Sequence, residues 1–567
     1  MVLGAGYFLP QNVYKKNNIM RINHLKIKGI GMLMPVFLLW AAFAQGQKVG
    51  IVPQPSKVKL KTGQFTINQG TPIVADGPNT GNAKYLQVLL KVDFQKELQI
   101  KNKGKKAIVL ELDQTLTRTL GEEGYTMEVD KKGVHIVAGT SAGVFYGIQS
   151  LRQLIISGRE VGNTAIKVQA IKIEDKPRFG WRAFMLDEAR YFKGMSVVKK
   201  LLDEMALLKM NVFHWHLTDD QGWRLEIKQY PKLTQIGSKR SNSQTGGWDS
   251  SERSNAPHSG YYTQEDIREI IAYASERHIT IVPEIEMPGH ASAAIAAYPW
   301  LGTIGDLKEV PTVFGKLPDS FNVSDPRVHV FLKNVLLEVM NLFPGNTIHI
   351  GGDEVKFDAW KSSNEIQDFM KDKNLESPGD LHVYFTNSIA QYLNTNGHRM
   401  MGWNEILGEN VHEWQDAGDL EVKQDLAKNS LVHFWKGDLE LVSKAVKEGY
   451  DIVNSYHEYT YLDYSYDYIP LEKAYDFDPI PNGLEEQYHQ KVLGSGCQMW
   501  GEWIPSPKDM DRMVFPRLAA YAEVGWTNKE RKDYSVFRAN LKPLLARWNE
   551  QGITLPEKFE KINFTEK

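Results

Sequence analysis

The segment Thr347-Ile348-His349-Ile350-Gly351-Gly352-Asp353-Glu354 decides how the chain is read. Its apolar beginning predicts a short buried strand, and the two glycines end that strand just before two adjacent carboxylates. In a continuing strand neighbouring side chains point to opposite faces, so only one of Asp353 and Glu354 would look into a site. Gly351 and Gly352 lift that restriction, because backbone freedom there lets the chain turn and brings both carboxylates to one cavity at the strand's C-terminal end. Two acids held together titrate apart, one ionised and one protonated, as acid-assisted bond cleavage requires. A surface turn with two solvated acids would look the same in isolation; the rest of the chain has to decide.

From Asp175-Lys176-Pro177-Arg178 onward the chain alternates strand and helix patterns. Strands are expected at 181–187, 211–217, 279–284, 347–350, 399–403, 431–435, 450–454 and 493–500. Between them, Val198, Leu201, Leu202, Met205 and Leu208 recur at helical spacing. Thr263 with Asp266 three residues on caps a helix carrying Ile267, Ile270 and Ile271, and Asp325-Pro326 opens another. Eight such units over about 350 residues predict an α/β fold of the (β/α)8 TIM-barrel type with long loops. A barrel enzyme gathers its working groups at the C-terminal ends of its strands. Unusual residues fall there: Asp187 and Arg190 after the first strand, Asp219 and Asp220 after the second, and Glu284, Glu286 and His290 after the third. Asp353 and Glu354 follow the fourth, Trp403 and Glu405 the fifth, Trp435 the sixth, Tyr461 and Asp463 the seventh, Trp500 and Glu502 the eighth. Any one of them could be structural; their common placement argues for a site.

The 567 residues exceed what one hydrophobic core usually accommodates. The expected division is a leader and signal peptide over 1–45, a smaller α+β domain over 46–175, the barrel over 176–532 and a helical segment packed on the barrel over 533–567. Arg21, Lys26 and Lys28 precede an apolar run, 30–44, that ends in Ala42-Phe43-Ala44, the pattern of a secretory signal. Met20 is a second candidate start. An exported protein, periplasmic or secreted, is expected, with no membrane span once the signal is removed, since the run is short and polar chain follows. The single cysteine, Cys497, rules out an internal disulfide. A net charge of -2 gives no electrostatic reason to expect nucleic acid as a partner. Fourteen tryptophans are of more interest, because flat aromatic rings grip the apolar faces of sugars.

Three blocks then match a family. His214-Trp215-His216-Leu217-Thr218-Asp219-Asp220-Gln221-Gly222-Trp223-Arg224, Pro283-Glu284-Ile285-Glu286-Met287-Pro288-Gly289-His290 and His349-Ile350-Gly351-Gly352-Asp353-Glu354 resemble the signature blocks of glycoside hydrolase family 20, the β-N-acetylhexosaminidases. The resemblance implies substrate-assisted cleavage of terminal N-acetylhexosamine from oligosaccharides or glycoconjugates, without a cofactor. It implies that Glu354 is the general acid and that an ionised Asp353 holds the N–H of the 2-acetamido group. Tyr461 would bond the attacking acetamido oxygen. Trp403, Trp435 and Trp500 would wall the acetamido pocket, Arg190, Asp463 and Glu502 would bind ring hydroxyls, and Asp219 with His290 would tune Glu354.

Other readings compete. Arg190 could form a rim ion pair with Asp187, and Trp403 and Trp435 could pack between barrel and helices. His214 and His216, read here as structural, would with His290 and His349 suit a metal-dependent amidohydrolase. A non-catalytic glycan-binding protein would keep the tryptophans but has no need of Asp353, Glu354 and Tyr461. Gly139-Thr140-Ser141-Ala142-Gly143 matches the nucleophile elbow of esterases, but a Gly-rich turn with Ser or Thr capping the next helix is the preferred reading.

Overall fold

The computed structural model describes residues 49–159, 165–409, 411–412 and 422–560. All of these belong to one compact unit, Gly46–Lys567; the signal-peptide reading falls outside the described residues. The first part is a seven-stranded sheet of β1 (Lys57–Ile67), β2 (Ile73–Ala75), β3 (Ile100–Lys101), β4 (Ala107–Leu112), β5 (Tyr125–Asp130), β6 (Gly133–Ala138) and β7 (Ile166–Asp175), in the order β1-β7-β5-β6-β4-β2-β3. Burial alternates residue by residue along β5, the mark of a strand with one covered face.

Helix α1 (Thr80–Phe94) and helix α2 (Ser141–Ser157) pack on this sheet. Every residue from Gly143 to Ile155 is buried, because α2 also meets the barrel helix Met195–Leu207 and the C-terminal helix Tyr534–Glu550. At Gly147 the helix approaches so closely that a Cβ would lie 2.4 Å from Ile136 Cγ2. The elbow-like sequence before α2 is a cap: Thr140 Oγ1 accepts from the Gly143 N–H at 3.2 Å. Ser141 Oγ accepts from the Asn82 side chain at 3.1 Å.

All eight expected barrel strands form. They are β8 (Trp181–Asp187), β9 (Val212–His216), β10 (Thr280–Glu284), β11 (Thr347–His349), β12 (Arg399–Trp403), β13 (Leu431–Phe434), β14 (Asp451–Asn454) and β15 (Val492–Met499), and they close a parallel ring in chain order. Runs that are apolar on both faces suit parallel strands covered by helices. The caps expected at two helices are present: Thr263 and Asp266 form a reciprocal box, and the Asp325 side chain accepts from Arg327 N–H with Pro326 at the first position. Register carries the fold into the site. Asp187 pairs with His216, His216 with Glu284, and Glu284 with His349, so four polar residues form one row across four neighbouring strands.

Sheet and barrel are joined by buried charge. Lys209 Nζ lies 2.8 Å from Asp175 Oδ2 and 3.0 Å from the Tyr125 hydroxyl, while Asp175 Oδ1 accepts from Trp526 Nε1 at 2.9 Å. Arg182 bonds Glu123 at 2.7 and 2.8 Å. The C-terminal helix packs on more than the barrel. Its Arg547 and Trp548 bond Glu204 of the barrel, at 2.9 and 2.7 Å, and its Asn540 accepts the N–H groups of Val49 and Gly50. Among the described residues no helix is long and apolar enough to cross a membrane.

Breaking a buried pair from one side leaves an uncompensated charge. Lys209→Met is therefore expected to cost about 3–5 kcal/mol, read as a lower denaturant midpoint; an unchanged midpoint would show that the pair carries no weight in joining sheet to barrel.

Candidate active site

The turn after β11 sets the geometry. Gly351 and Gly352 have φ of +68° and +87°, and Glu354 itself has φ of +50°. A Cβ at Gly351 would sit 1.8 Å from Glu286 Oε2, so a larger residue would have to displace that carboxylate and hold a left-handed backbone as well. The turn leaves Asp353 buried and Glu354 partly exposed beside it. One imidazole spans both: His290 Nε2 is 3.7 Å from Asp353 Oδ2 and 3.8 Å from Glu354 Oε2. His290 also has a left-handed backbone, φ +47°, so two non-glycine residues at this spot hold a conformation that costs of order 1–3 kcal/mol each. Lys316 Nζ lies 3.3 Å from Glu354 Oε1.

Behind His290 stand two carboxylates. Its Nδ1 is 3.1 Å from Asp220 Oδ2 and 3.3 Å from Asp219 Oδ1. Burial opposes the charged imidazole, but the Asp219 charge outweighs it and holds His290 well above the ordinary histidine range. Asp219 is in turn held far below the carboxylate range, against burial, by Arg190 and His290. Arg190 makes the rim ion pair that its structural reading gives. It pairs with Asp187 at 3.2 Å, and it also reaches Asp219 at 2.9 Å, Gln221 at 3.1 Å and Glu502 at 3.7 Å. Its guanidinium lies 5.2 Å from the Trp500 ring centroid.

The expected aromatic group assembles as one cluster of Trp403, Trp435, Trp500 and Tyr461, with Met185 and Tyr464. Tyr461 stacks on Trp435 at 5.9 Å and 8° and stands 5.9 Å from Trp500. Trp403 is 5.9 Å from Trp500 and forms the floor, stacked on His433 at 4.1 Å and 18°. This cluster adjoins the acid turn: the Trp403 N–H donates to the Gly351 carbonyl at 2.8 Å. Trp435 Nε1 donates to Glu405 at 2.9 Å, and Glu405 is one of the charges acting on Asp353. Packing thus accounts for Trp403 as its structural reading holds, and the same ring belongs to the aromatic cluster.

Burial pushes Asp353 up to about 8, with Glu405 and Glu354 adding to the shift and His290 opposing it. The expectation of an ionised Asp353 is corrected in this respect. Protein groups alone favour its neutral form at neutral pH, because the carboxyl is fully buried among other acids. Its Oδ1 is buried without a hydrogen-bond partner, and so is Asp463 Oδ1. Asp463 is likewise pushed up to about 8, by burial and then by Glu502. Glu286, raised by burial and by Asp353, has both oxygens buried and unpartnered.

The histidines of the metal reading divide into two groups, His214, His216 and His349 around Glu284 and His290 beside Asp219 and Asp220. His214 and His349 face Glu284, at 2.8 and 2.9 Å, whereas His290 faces Asp219 and Asp220. The Trp403 indole N–H, which cannot ligate a metal, occupies Glu284 Oε1 at 2.8 Å. Residues that the sequence left without roles include Asp220, Glu284, Glu286 and Glu405. Their positions at strand ends were visible; their contacts depend on which strand lies next to which, and a linear pattern does not carry that.

The barrel's strand ends thus bring together an acid pair, a bridging histidine and a cluster of aromatic rings, parts that suit a glycoside hydrolase. Residues 179–529 match the model of glycosyl hydrolase family 20, catalytic domain, and residues 48–176 match that family's domain 2. The chain belongs to glycosyl hydrolase family 20. It is 35% identical to a beta-hexosaminidase of Porphyromonas gingivalis over 545 residues, 92% of this chain and 67% of that one. It is 33% identical to a beta-hexosaminidase of Vibrio furnissii, covering 85% and 77% of the two chains. Among solved structures, an exo beta-N-acetylglucosaminidase of Vibrio harveyi in complex with N-acetylglucosamine superposes with a TM-score of 0.78 at 30% identity, over 90% of this chain and 79% of that one. A beta-N-acetylhexosaminidase of Bacteroides fragilis gives 0.73 at 29%, over 91% and 99%.

A carboxyl whose folded value lies above its ordinary one takes up a proton on folding, so stability falls as pH rises from the ordinary range near 3.8 towards about 8. Asp353→Asn keeps the shape and cannot ionise. It is expected to lose less melting temperature between about pH 5 and about pH 9 than the native protein; equal losses would show that Asp353 is not the buried neutral acid.

Proposed function

We propose that the protein is an exo-acting β-N-acetylhexosaminidase that removes terminal non-reducing N-acetylglucosamine or N-acetylgalactosamine with retention, through an oxazolinium intermediate. The observation that carries this reading is the unpartnered, buried Asp353 oxygen next to Glu354 and the aromatic hollow. It is an acceptor placed where an acetamido N–H would pair with it. With the N–H bound, the acetamido oxygen attacks the anomeric carbon as the glycosidic bond breaks, and Glu354 gives its proton to the leaving oxygen. Positive charge then develops on the acetamido group and is stabilised by Asp353 in its carboxylate form, the Asp353 proton passing to solvent as the substrate N–H takes its place. Water afterwards attacks the same carbon, returns a proton to Glu354 and reopens the ring. Two displacements at one carbon retain configuration.

Tyr461 would bond the acetamido oxygen, and the close walls of Trp403, Trp435 and Trp500 would restrict the group to its attacking pose. Asp463 and Glu502 would accept from ring hydroxyls, assisted by those Arg190 N–H groups that Asp187, Gln221 and Asp219 leave over. The His290 imidazole faces both acids, 3.7 Å from Asp353 and 3.8 Å from Glu354. Export to the periplasm or beyond is part of the same reading, supported by the charged and apolar pattern of residues 21–44.

Glu354→Gln is expected to lose most activity on substrates with poor leaving groups and far less on activated aryl glycosides, while Asp353→Asn loses activity on both. Equal losses on the two substrates in Glu354→Gln would count against its acid role. Aryl glucosides, which lack the acetamido group, are expected not to turn over; rates matching those of aryl N-acetylglucosaminides would rule out substrate assistance.

A further inference from the structure

Glu284 ends β10 and is fully buried, and the chemistry above never touches it. Four ring nitrogens nevertheless surround its carboxylate. Trp403 Nε1 donates to Oε1 at 2.8 Å, and His349 Nδ1 lies 2.9 Å from the same oxygen. His216 Nδ1 bonds Oε2 at 2.6 Å, with His214 Nε2 2.8 Å away. Two paths lead from it into the site. One is the indole of Trp403, the floor of the aromatic hollow. The other runs through His216, whose Nε2 meets Asp219 Oδ2 at 2.9 Å. Asp219 then reaches His290, which faces Asp353 and Glu354.

A core that merely needed a partner for one indole N–H could use a neutral acceptor, because burying a carboxylate costs several kcal/mol before any pairing. Here the charge is paired, and its partners line up with alternating sign: Glu284, His216, Asp219, His290. His349, His216 and His214 hold Glu284 well below the carboxylate range against burial, and the facing acids lift His216 to about 10. His216 is faced by Glu284 from β10, by Asp219 beyond β9, by Glu286 at 3.9 Å and by Asp187 of β8, with the Trp500 ring 5.0 Å away.

We propose that Glu284 is a positioning residue of this reaction, one carboxylate that orients the Trp403 floor through one oxygen and the His216–Asp219–His290 chain through the other. The inference rests on the hexosaminidase reading. Misplacement by about 1 Å at such a site costs about 10²-fold in rate, so Glu284→Gln is expected to lower kcat on an aryl N-acetylglucosaminide about 100-fold while KM stays within about threefold. With one facing anion gone, the His216–Asp219–His290 chain presents less negative charge towards Glu354, and the alkaline limb of kcat, set by that general acid, is expected to move down. Loss of core packing alone would lower the melting temperature without moving that limb.

Glu284→Asp keeps the charge but draws it back by one methylene, so it is expected to restore the native alkaline limb while kcat stays at least about tenfold low. Folded Glu284→Gln with native kcat and a superimposable pH profile overturns the inference, as does native kcat in Glu284→Asp. Failure of both variants to fold assigns Glu284 to the core and overturns it too. Absence of hydrolysis by the native protein overturns the hexosaminidase reading itself, which separates the two failures.

Discussion

Consecutive side chains leave a strand on opposite sides, and the site exists because the chain escapes that rule at one place. The left-handed backbone of Gly351 and Gly352 swings Asp353 and Glu354 towards the same hollow. The Glu286 carboxyl, packed where a Gly351 Cβ would be, adds to the preference for glycine that the left-handed backbone sets. The barrel supplies the rest by closing. Once eight parallel strands form a ring, the residues at their ends converge on one mouth however far apart they lie in the chain.

Charge is packed densely at that mouth, and its arrangement follows one logic. Buried acids whose desolvation outweighs the cations near them shift towards the neutral form, as Asp353 and Asp463 do, whereas acids held closely by imidazole or guanidinium groups shift the other way, as Glu284 and Asp219 do. Closely spaced carboxyls therefore differ in state because their neighbours differ. A site that must hold one acid ready to donate and another ready to take up charge benefits from that division.

Among the described residues, the sheet that precedes the barrel contributes no group to the aromatic cluster, yet it does not hang loose. Asp175 at the end of β7, Lys209 of the barrel and Trp526 share one buried cluster, and the C-terminal helix ties Val49 and Gly50 to the barrel helix that carries Glu204. Such contacts favour a fixed relation between the two layers, which keeps the first barrel strand, and with it Asp187 and Arg190, in register with β9 and β15.

Much was legible in the linear chain because its signals are local. The alternation of apolar runs with capped helices, Thr263 with Asp266 and Asp325 with Pro326, marked eight units, and the glycine pair before Asp353 marked the turn. The three blocks led to family 20, and the Thr140 cap explains the elbow-like motif that pointed elsewhere. What remained hidden depends on neighbours across strands. That Glu284 meets His216, His349 and Trp403 follows from the register of β9, β10, β11 and β12. That Asp353 is neutral among protein groups follows from burial and nearby acids. Sequence alone determined the order of elements and the residues delivered to the mouth, since both are set by short-range pattern; tertiary structure decided which of them touch and which carry charge, since distance and desolvation belong to the closed barrel.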